Sequence, residues 1–287
     1  MTEFKTALQS MVIHHDIDTI GAYETLRKVK EIGYNVFEVS GHFECTDELV
    51  DELCRAKKDF DMEICALSVA YNGQFPTKQP PHRQGLSQLK LVEDFERAVS
   101  YAKRLGCKNL RYAGMPVVQM DTMDKLDAYC ELTESLAVRL KEQGINLCMH
   151  NHDSEFVKID GKTYYDWIIE KCPTLCFEFD VLGAAHAAIQ LYDCMESIRG
   201  RMPLIHIEDI KVKAVEAMGP NAPLNDRILG CPLGDGNVNI KKFCDTAIAC
   251  GNDFLIIEVS DFRGEDVYVA MKRAADAVKA AGFASTF

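Results

Sequence analysis

Four apolar runs in the second half of the chain each end in, or just before, a side chain that can bind a metal ion. The runs span residues 146–152, 175–180, 204–206 and 254–258, and the side chains are His150, Asp180, His206 and Glu258. Each run is typical of a short buried strand. Because the C-terminal ends of parallel barrel strands converge on one mouth, where active sites lie, we expect these side chains to meet there. Imidazoles and carboxylates together bind divalent metal ions, so the pattern predicts a metal-dependent enzyme for a small, oxygen-rich molecule.

The elements that would position these side chains alternate regularly along the chain. Helix-like segments separate eight strand-like runs, near residues 5–10, 35–40, 63–70, 109–113, 146–150, 175–180, 204–207 and 254–259. Four helix-like segments stop just before a glycine, a common helix end; they span 19–32, 86–105, 126–143 and 243–250. The alternation predicts one domain over residues 1–287, an α/β fold built as a (β/α)8 TIM barrel. A doubly wound open sheet is the alternative.

Two longer irregular stretches follow predicted strands. They span 71–85 and 211–237, and each holds three prolines. We expect both to lie over the mouth as lids or substrate clamps. Gly234-Asp235-Gly236 lacks the third glycine of a dinucleotide fingerprint, so it is interpreted as a turn before a helix that starts near Val238.

Composition narrows the classes of function. The net charge of −12 argues against a nucleic-acid partner, whose phosphates would be repelled. The chain has no apolar stretch near the ~20 residues of a membrane span and its N-terminus has no apolar signal core, so we expect a cytoplasmic protein without a membrane partner. Twelve cysteines without a Cys-x-x-Cys pair are interpreted as reduced, mostly buried thiols.

Five stretches resemble motifs of the xylose-isomerase-like TIM-barrel superfamily, which includes sugar-phosphate isomerases/epimerases and dehydratases: 150–156, 179–182, 204–209, 232–236 and 257–258. Glu38, after residues 34–37, also matches a common ending of strand 2 in that family. The resemblance covers nearly the whole chain and implies a divalent metal cofactor. Ligands of this kind suit Mn2+ or Mg2+ best, with Zn2+ and Co2+ as alternatives.

The resemblance also implies a ligand set. Epimerases of this family bind the metal through Glu, Asp, His and Glu from strands 5 to 8, which carries over to Asp180, His206 and Glu258. The strand-5 glutamate is His150 here, so the fourth ligand is either His150 or the loop residue Glu155. We favour Glu155, because relatives with His-Asn-His-x-x-Glu-Phe keep that glutamate.

Each candidate also has an ordinary structural interpretation. Asp180 would cap a helix that starts near Leu182. Glu258 would form a salt bridge, and His206 would be a hydrogen-bonded core residue. Two roles remain open for Asp209, which would either support a metal ligand or cap a loop. The family's histidine three residues after the strand-6 aspartate is Gly183 here, so no role passes to this position.

Further polar side chains are candidates for substrate contact. His150 and His152 share one side of a strand, and imidazoles titrate near neutral pH, so both are candidates for acid/base work and His152 for substrate binding. Arg111 would either clamp a phosphate or carboxylate or pair with acids of strand 5. Glu38 is a candidate substrate contact, and Glu178 is interpreted as a polar partner inside the barrel.

The primary hypothesis is an isomerase or epimerase of a sugar-like small molecule. A metal would chelate a carbonyl and a hydroxyl and stabilise the enediolate formed when a base removes the proton between them. Glu258 is the favoured base, with Glu155 or His150 on the opposite face. A dehydratase or lyase of a keto-sugar or inosose is the alternative. An endonuclease IV-like function is disfavoured because the net charge of the chain is negative. A non-catalytic barrel is disfavoured because the candidate metal ligands are retained. Barrels of this type often form homo-oligomers.

Overall fold

The computed structural model describes residues 4–40, 45–71, 89–113, 120–213, 228–259 and 264–287. Eight parallel strands form a closed barrel in which each strand pairs with its neighbours in the sequence, and the last pairs with the first from Lys5 with Phe254 to Leu8 with Ile257. The strands are β1 (Lys5–Gln9), β2 (Val36–Val39), β3 (Glu63–Ser68), β4 (Asn109–Ala113), β5 (Asn146–His150), β6 (Cys176–Asp180), β7 (Leu204–Ile207) and β8 (Phe254–Ile257). The predicted (β/α)8 barrel is confirmed, and the open sheet is wrong.

Helices separate the strands along the chain. Among the described residues they are α1 (His14–Glu31), α2 (Asp47–Asp59), α3 (Phe95–Leu105), α4 (Met123–Glu142), α5 (Tyr164–Lys171), α6 (Val181–His186), α7 (Leu191–Ser197), α8 (Ile240–Ala249) and α9 (Val267–Val278). None of these helices has the length and apolarity needed to cross a membrane.

Two predicted helix starts differ from the structure by five residues or more. The helix expected from residue 86 begins at Phe95, because the backbone of Ala70 bonds to Leu89 and Leu91 and holds this stretch against the end of β3; residues 86–88 lie outside the described part. The helix expected from residue 19 begins at His14 and is interrupted at Gly21, whose φ is 86°. The interruption leaves Ile20 43% exposed, although its spacing placed it on the buried stripe.

The barrel interior is layered. A cluster of small and apolar side chains fills the middle of the barrel, and its members include Ala7, Val36, Cys148 and Leu204. Side chains of a strand alternate between its two faces, so the inward positions two residues further on point to the same interior. Those positions hold polar residues, namely Gln9, Glu38, His150 and His206, and all are buried. A polar layer therefore rests directly on an apolar floor at the C-terminal end of the barrel.

The second irregular stretch is partly regular. Asp209–Val212 pairs antiparallel with Ile228–Cys231, so a hairpin leaves the barrel just after β7. Residues 214–227, and residues 72–85 of the first stretch, lie outside the described part, and the expected lid roles remain predictions. All twelve cysteines are free thiols, as the sequence indicated.

Candidate metal centre

Three of the predicted ligands lie together at the mouth of the barrel. His150 and Asp180 are the last residues of β5 and β6, and His206 lies inside β7. One ligand atom of each lies within 4.8 Å of the others, and all three residues are buried. Parallel strands with matched ends explain this convergence, since each strand delivers its last inward side chain to the same layer.

Glu258 follows β8, the fourth of these strands, and contacts the group through His206. Its Oε2 lies 2.9 Å from Nδ1 of His206. Its side chain is 21% exposed, whereas that of His206 is fully buried. Glu258 is therefore the carboxylate of this group that is most open to a ligand entering the mouth.

Glu155 does not join these side chains. It lies in the turn Ser154–Phe156, where its carboxylate accepts hydrogen bonds from the backbone N–H of His152 at 2.8 Å and from the Ser154 hydroxyl at 3.1 Å. Its Oε2 thus binds its own loop. Of the two alternatives for the fourth ligand, His150 is a member of the group within 4.8 Å and Glu155 is not, although the sequence favoured Glu155.

A second set of charged side chains contacts the two buried imidazoles. Nε2 of His206 is 3.0 Å from Glu38, and Nδ1 of His150 is 2.9 Å from Glu178. The Arg111 Nε donates to Glu178 at 2.6 Å and one of its terminal nitrogens donates to Ser68 at 3.1 Å. Arg111 is thus paired with an acid of β6, and the predicted partner from strand 5 is wrong. Glu38, expected to contact substrate, is fully buried against His206.

Burial and these neighbours move the pKa values of the two imidazoles apart. Burial and the positive charge of Arg111 lower the pKa of His150 to about 3, so that imidazole is neutral at physiological pH. Burial also disfavours a charge on His206, but the negative charges of Glu178 and Glu38 outweigh it and raise its pKa well above the usual value. In the protein without metal, His206 therefore carries the positive charge of the group.

The two carboxylates at the mouth also differ. Burial and the negative charge of Glu258 raise the pKa of Asp180 to about 7. Burial opposes ionisation of Glu258 as well, but its hydrogen bond with His206 and the charge of that ring lower its pKa to about 2. A divalent ion would supply the positive charge that the His206 proton supplies here, so a donor set of two imidazoles and two carboxylates fits such an ion.

The ends of β5 and β6 are joined by Asn151, a residue that the sequence reasoning passed over. Its side-chain amide donates to the Asp180 carbonyl at 3.2 Å and accepts from the Asp180 backbone N–H at 2.9 Å. A Cβ atom at Gly183 would lie 2.8 Å from backbone atoms of His152, so only glycine lets the β5 loop pack this closely. The middle residue of His-Asn-His, between two candidate site residues, was the available signal.

Asp180 caps a helix and also lies among the candidate ligands. Its Oδ1 accepts the backbone N–H of Gly183 at 2.5 Å and so caps α6, while the residue belongs to the buried ligand group. Asp209 is a loop cap: its carboxylate accepts backbone N–H groups of Gly234, Gly236 and Val238 at 2.8–2.9 Å. These bonds confirm the turn around Gly234 and Gly236, which ends where α8 begins at Ile240.

His152 lies on the exposed side of the group. Its ring centroid is 5.0 Å from that of His150, and the two planes meet at 79°. The ring of His150 lies in turn 4.7 Å from that of His206. The mouth therefore presents an accessible imidazole next to two buried ones, as the shared strand side of His150 and His152 predicted.

Comparison with known proteins agrees with this geometry. The family model described as "Xylose isomerase-like TIM barrel" matches residues 26–284. Among curated protein sequences, none matches the chain. A sugar phosphate isomerase/epimerase from Parabacteroides distasonis superposes with a TM-score of 0.73 at 21% identity, covering 95% of this chain and 96% of that one.

Two further solved structures share the fold. The probable 3-DHS dehydratase AsbF from Bacillus anthracis superposes with a TM-score of 0.67 at 15% identity, covering 95% of this chain and 99% of that chain. The IOLI protein with a binding zinc atom has a TM-score of 0.64 at 14% identity, covering 99% of this chain and 98% of that chain. At these identities the similarity establishes the architecture alone.

Proposed function

The chain belongs to the xylose isomerase-like TIM barrel family, and on that premise we propose that it is a divalent-metal-dependent isomerase or epimerase of a sugar-like small molecule. One observation supports the proposal above all others. His150, Asp180 and His206 present ligand atoms within 4.8 Å of one another at the barrel mouth, with Glu258 beside them. Ionised carboxylates are costly to bury without a partner of opposite charge, and a divalent ion would be such a partner.

The chemistry of the donors indicates the kind of ion. Two nitrogens and two carboxylate oxygens suit Mn2+, our first choice, and also Zn2+ or Co2+. The IOLI protein of the same fold carries zinc, which supports a metal at this mouth without identifying the ion. When bound, such an ion would act as a Lewis acid on a substrate carbonyl and acidify the adjacent C–H bond.

We assign the proton transfers to side chains that a substrate can reach. Glu258, ionised and the most exposed carboxylate of the group, takes the proton from the carbon next to the carbonyl. His152, exposed beside His150, exchanges a proton with a substrate hydroxyl. The neutral His150 ring lies between the rings of His152 and His206, and Asn151 keeps the β5 loop aligned with Asp180. Epimerisation needs a proton donor on the opposite face of the substrate. We assign this role to His150 or His152, at the end of β5.

A dehydratase or lyase is the second candidate. The specific observation in its favour is the pair of imidazoles at the end of β5, because an accessible His152 beside His150 can protonate a leaving hydroxyl after the same C–H step. The AsbF protein, a probable dehydratase with the same fold, is consistent with this chemistry on this scaffold. The two candidates share the first proton transfer and differ in the product.

The test is solvent exchange at the acidified carbon. Metal-loaded protein is incubated in D2O with a panel of keto-sugars and inososes, and deuterium incorporation and products are followed by NMR. We expect incorporation next to the carbonyl, its loss in Glu258→Gln, and its retention in Glu265→Gln, a matched change at an exposed residue paired with Arg273. Formation of an isomer supports the primary proposal, and loss of water supports the second. Exchange that persists in Glu258→Gln would contradict the assigned base.

A further inference from the structure

Two fully buried carboxylates lie against the candidate ligand His206. Glu38, from β2, and Glu178, from β6, have side chains with no exposed surface. Glu38 Oε2 lies 3.0 Å from Nε2 of His206, and Glu178 Oε2 lies 3.4 Å from the same atom. The other ring nitrogen of His206, Nδ1, points to Glu258. One ring nitrogen of His206 therefore faces Glu38 and Glu178, and the other faces Glu258 at the mouth.

The position of the ring proton decides which nitrogen can bind a metal. A neutral imidazole carries one N–H and one lone pair. Both ring nitrogens of His206 face a carboxylate, Nδ1 that of Glu258 and Nε2 that of Glu38. A metal ion held by Glu258 would take the place of the proton on Nδ1, so the remaining N–H stays on Nε2, where Glu38 accepts it. Carboxylates placed behind metal-binding histidines act in this way and also strengthen the ring as a donor.

Glu38, Glu178 and His206 also have ligand atoms close enough for a second metal ion. The position of Arg111 argues against that assignment. Its Nε lies 2.6 Å from Glu178 and 3.9 Å from Glu38, and its guanidinium is buried with them. Because a fixed cation already neutralises these acids, a second cation would be repelled. This cluster is therefore suited to orienting imidazoles and not to holding an ion.

We propose that Glu38 is a positioning residue that fixes the Nε2–H tautomer of His206 and so presents Nδ1 to the metal, with Arg111 and Glu178 balancing its charge. Glu38 touches neither the mouth nor a substrate; it acts through His206. The inference rests on the proposed function, since it concerns the same metal, but it makes a separate claim about one residue of β2.

The test combines a binding measurement with a spectroscopic one. Mn2+ or Zn2+ affinity is measured by calorimetry for the wild type, for Glu38→Gln and for the control Glu63→Gln, a glutamate at the N-terminal end of the barrel that pairs with Lys5. The 15N–1H spectrum of the Zn2+-loaded protein, with the His206 signal assigned by its loss in His206→Gln, reports the ring tautomer.

We expect Glu38→Gln to weaken metal binding by about 10–100-fold, because an amide of the same shape can either accept or donate and no longer imposes the tautomer. Glu63→Gln should bind as the wild type does. The Zn2+-loaded wild type should show His206 protonated on Nε2, and Glu38→Gln should show a mixture.

The outcomes separate the two claims. A wild type that binds no divalent metal overturns the proposed function itself. A wild type that binds metal, together with a Glu38→Gln variant of equal affinity and unchanged tautomer, overturns the role of Glu38 alone. If Glu38→Gln does not fold, the wild-type spectrum still decides, since an Nδ1–H signal for metal-loaded His206 contradicts the inference.

Discussion

At the mouth, Asp180 combines an observed structural role with a proposed one. Its carboxylate caps α6 through Gly183 and also belongs to the buried ligand group. The two functions have different requirements, because a cap needs a side-chain oxygen, whereas a cation site needs negative charge. Asparagine provides the first and lacks the second, so one substitution can separate them.

We therefore expect Asp180→Asn to keep the stability of the metal-free protein and to lose the metal. Asn and Asp are about equal as N-caps. Removal of an outer partner of a ligand already costs about 10–100-fold in affinity, so loss of a ligand charge should cost at least about 100-fold. Thermal unfolding and metal titration check this. Asp266→Asn, the same change at the cap of α9, is the matched control and should alter neither quantity.

The charges of the group also predict how metal binding depends on pH. Without metal, Asp180 has a pKa raised to about 7, chiefly by burial and by Glu258, and the pKa of His206 is raised by Glu178 and Glu38 against the effect of burial. Binding must displace these protons, so affinity rises with pH, by up to about tenfold per unit for each proton released. Calorimetry at pH 6, 7 and 8 should show progressively tighter binding; an affinity independent of pH would contradict the described charge states.

At the scale of secondary-structure elements, the positions of the strands could be predicted from the sequence. The apolar runs predicted near 146–150 and 204–207 coincide with β5 and β7, because a buried parallel strand must be continuously apolar. Helix starts were less readable: α3 begins at Phe95 because of backbone bonds from Ala70, a contact between distant parts of the chain. Local periodicity carries no information on such contacts.

The same contrast holds for the candidate site, where the strand ends could be predicted and the contacts across the barrel could not. Strand ends placed His150, Asp180, His206 and Glu258 at one mouth, since parallel topology brings them there whatever their detailed contacts. The partners across the barrel could not be predicted in this way. Which acid faces Arg111, or which nitrogen of His206 faces Glu38, depends on the strand register and tilt that only the closed barrel defines.

The junction of β5 and β6 gives a prediction at this scale. Asn151→Ala removes two buried hydrogen bonds to Asp180, so we expect a loss of about 1–3 kcal/mol in the free energy of unfolding together with weaker metal binding. Asn252→Ala removes a buried bond to Met202 away from the mouth and should lower stability without changing the affinity. Urea unfolding and metal titration distinguish them. Equal weakening of metal binding in both variants would show that the junction has no special role.

At the scale of the whole molecule, the mouth collects side chains from strands that lie far apart in the sequence. His150 and Glu258 are contributed by β5 and the segment after β8, and the polar layer rests on an apolar floor to which β1, β2, β3, β5, β7 and β8 contribute. An ion bound there links the second half of the barrel and is released when the barrel unfolds. Ligand binding to the folded state alone stabilises that state.

Saturating metal should therefore raise the melting temperature. At a free concentration 100 times Kd the stabilisation is about 2.7 kcal/mol, which corresponds to a shift of roughly 5 °C or more for a chain of this length. Differential scanning fluorimetry with Mn2+, and then with excess chelator to reverse the effect, measures it. Asp180→Asn should show no shift; a shift of the same size in that variant would place the ion elsewhere.

The most direct test of the central claim is the metal content of protein purified without chelator, measured by inductively coupled plasma mass spectrometry. The account predicts about one divalent ion per chain in the wild type, among Mn, Zn, Co and Mg, and a large decrease in Asp180→Asn and Glu258→Gln. A wild type that contains no divalent metal and binds none when it is added in excess would contradict the account.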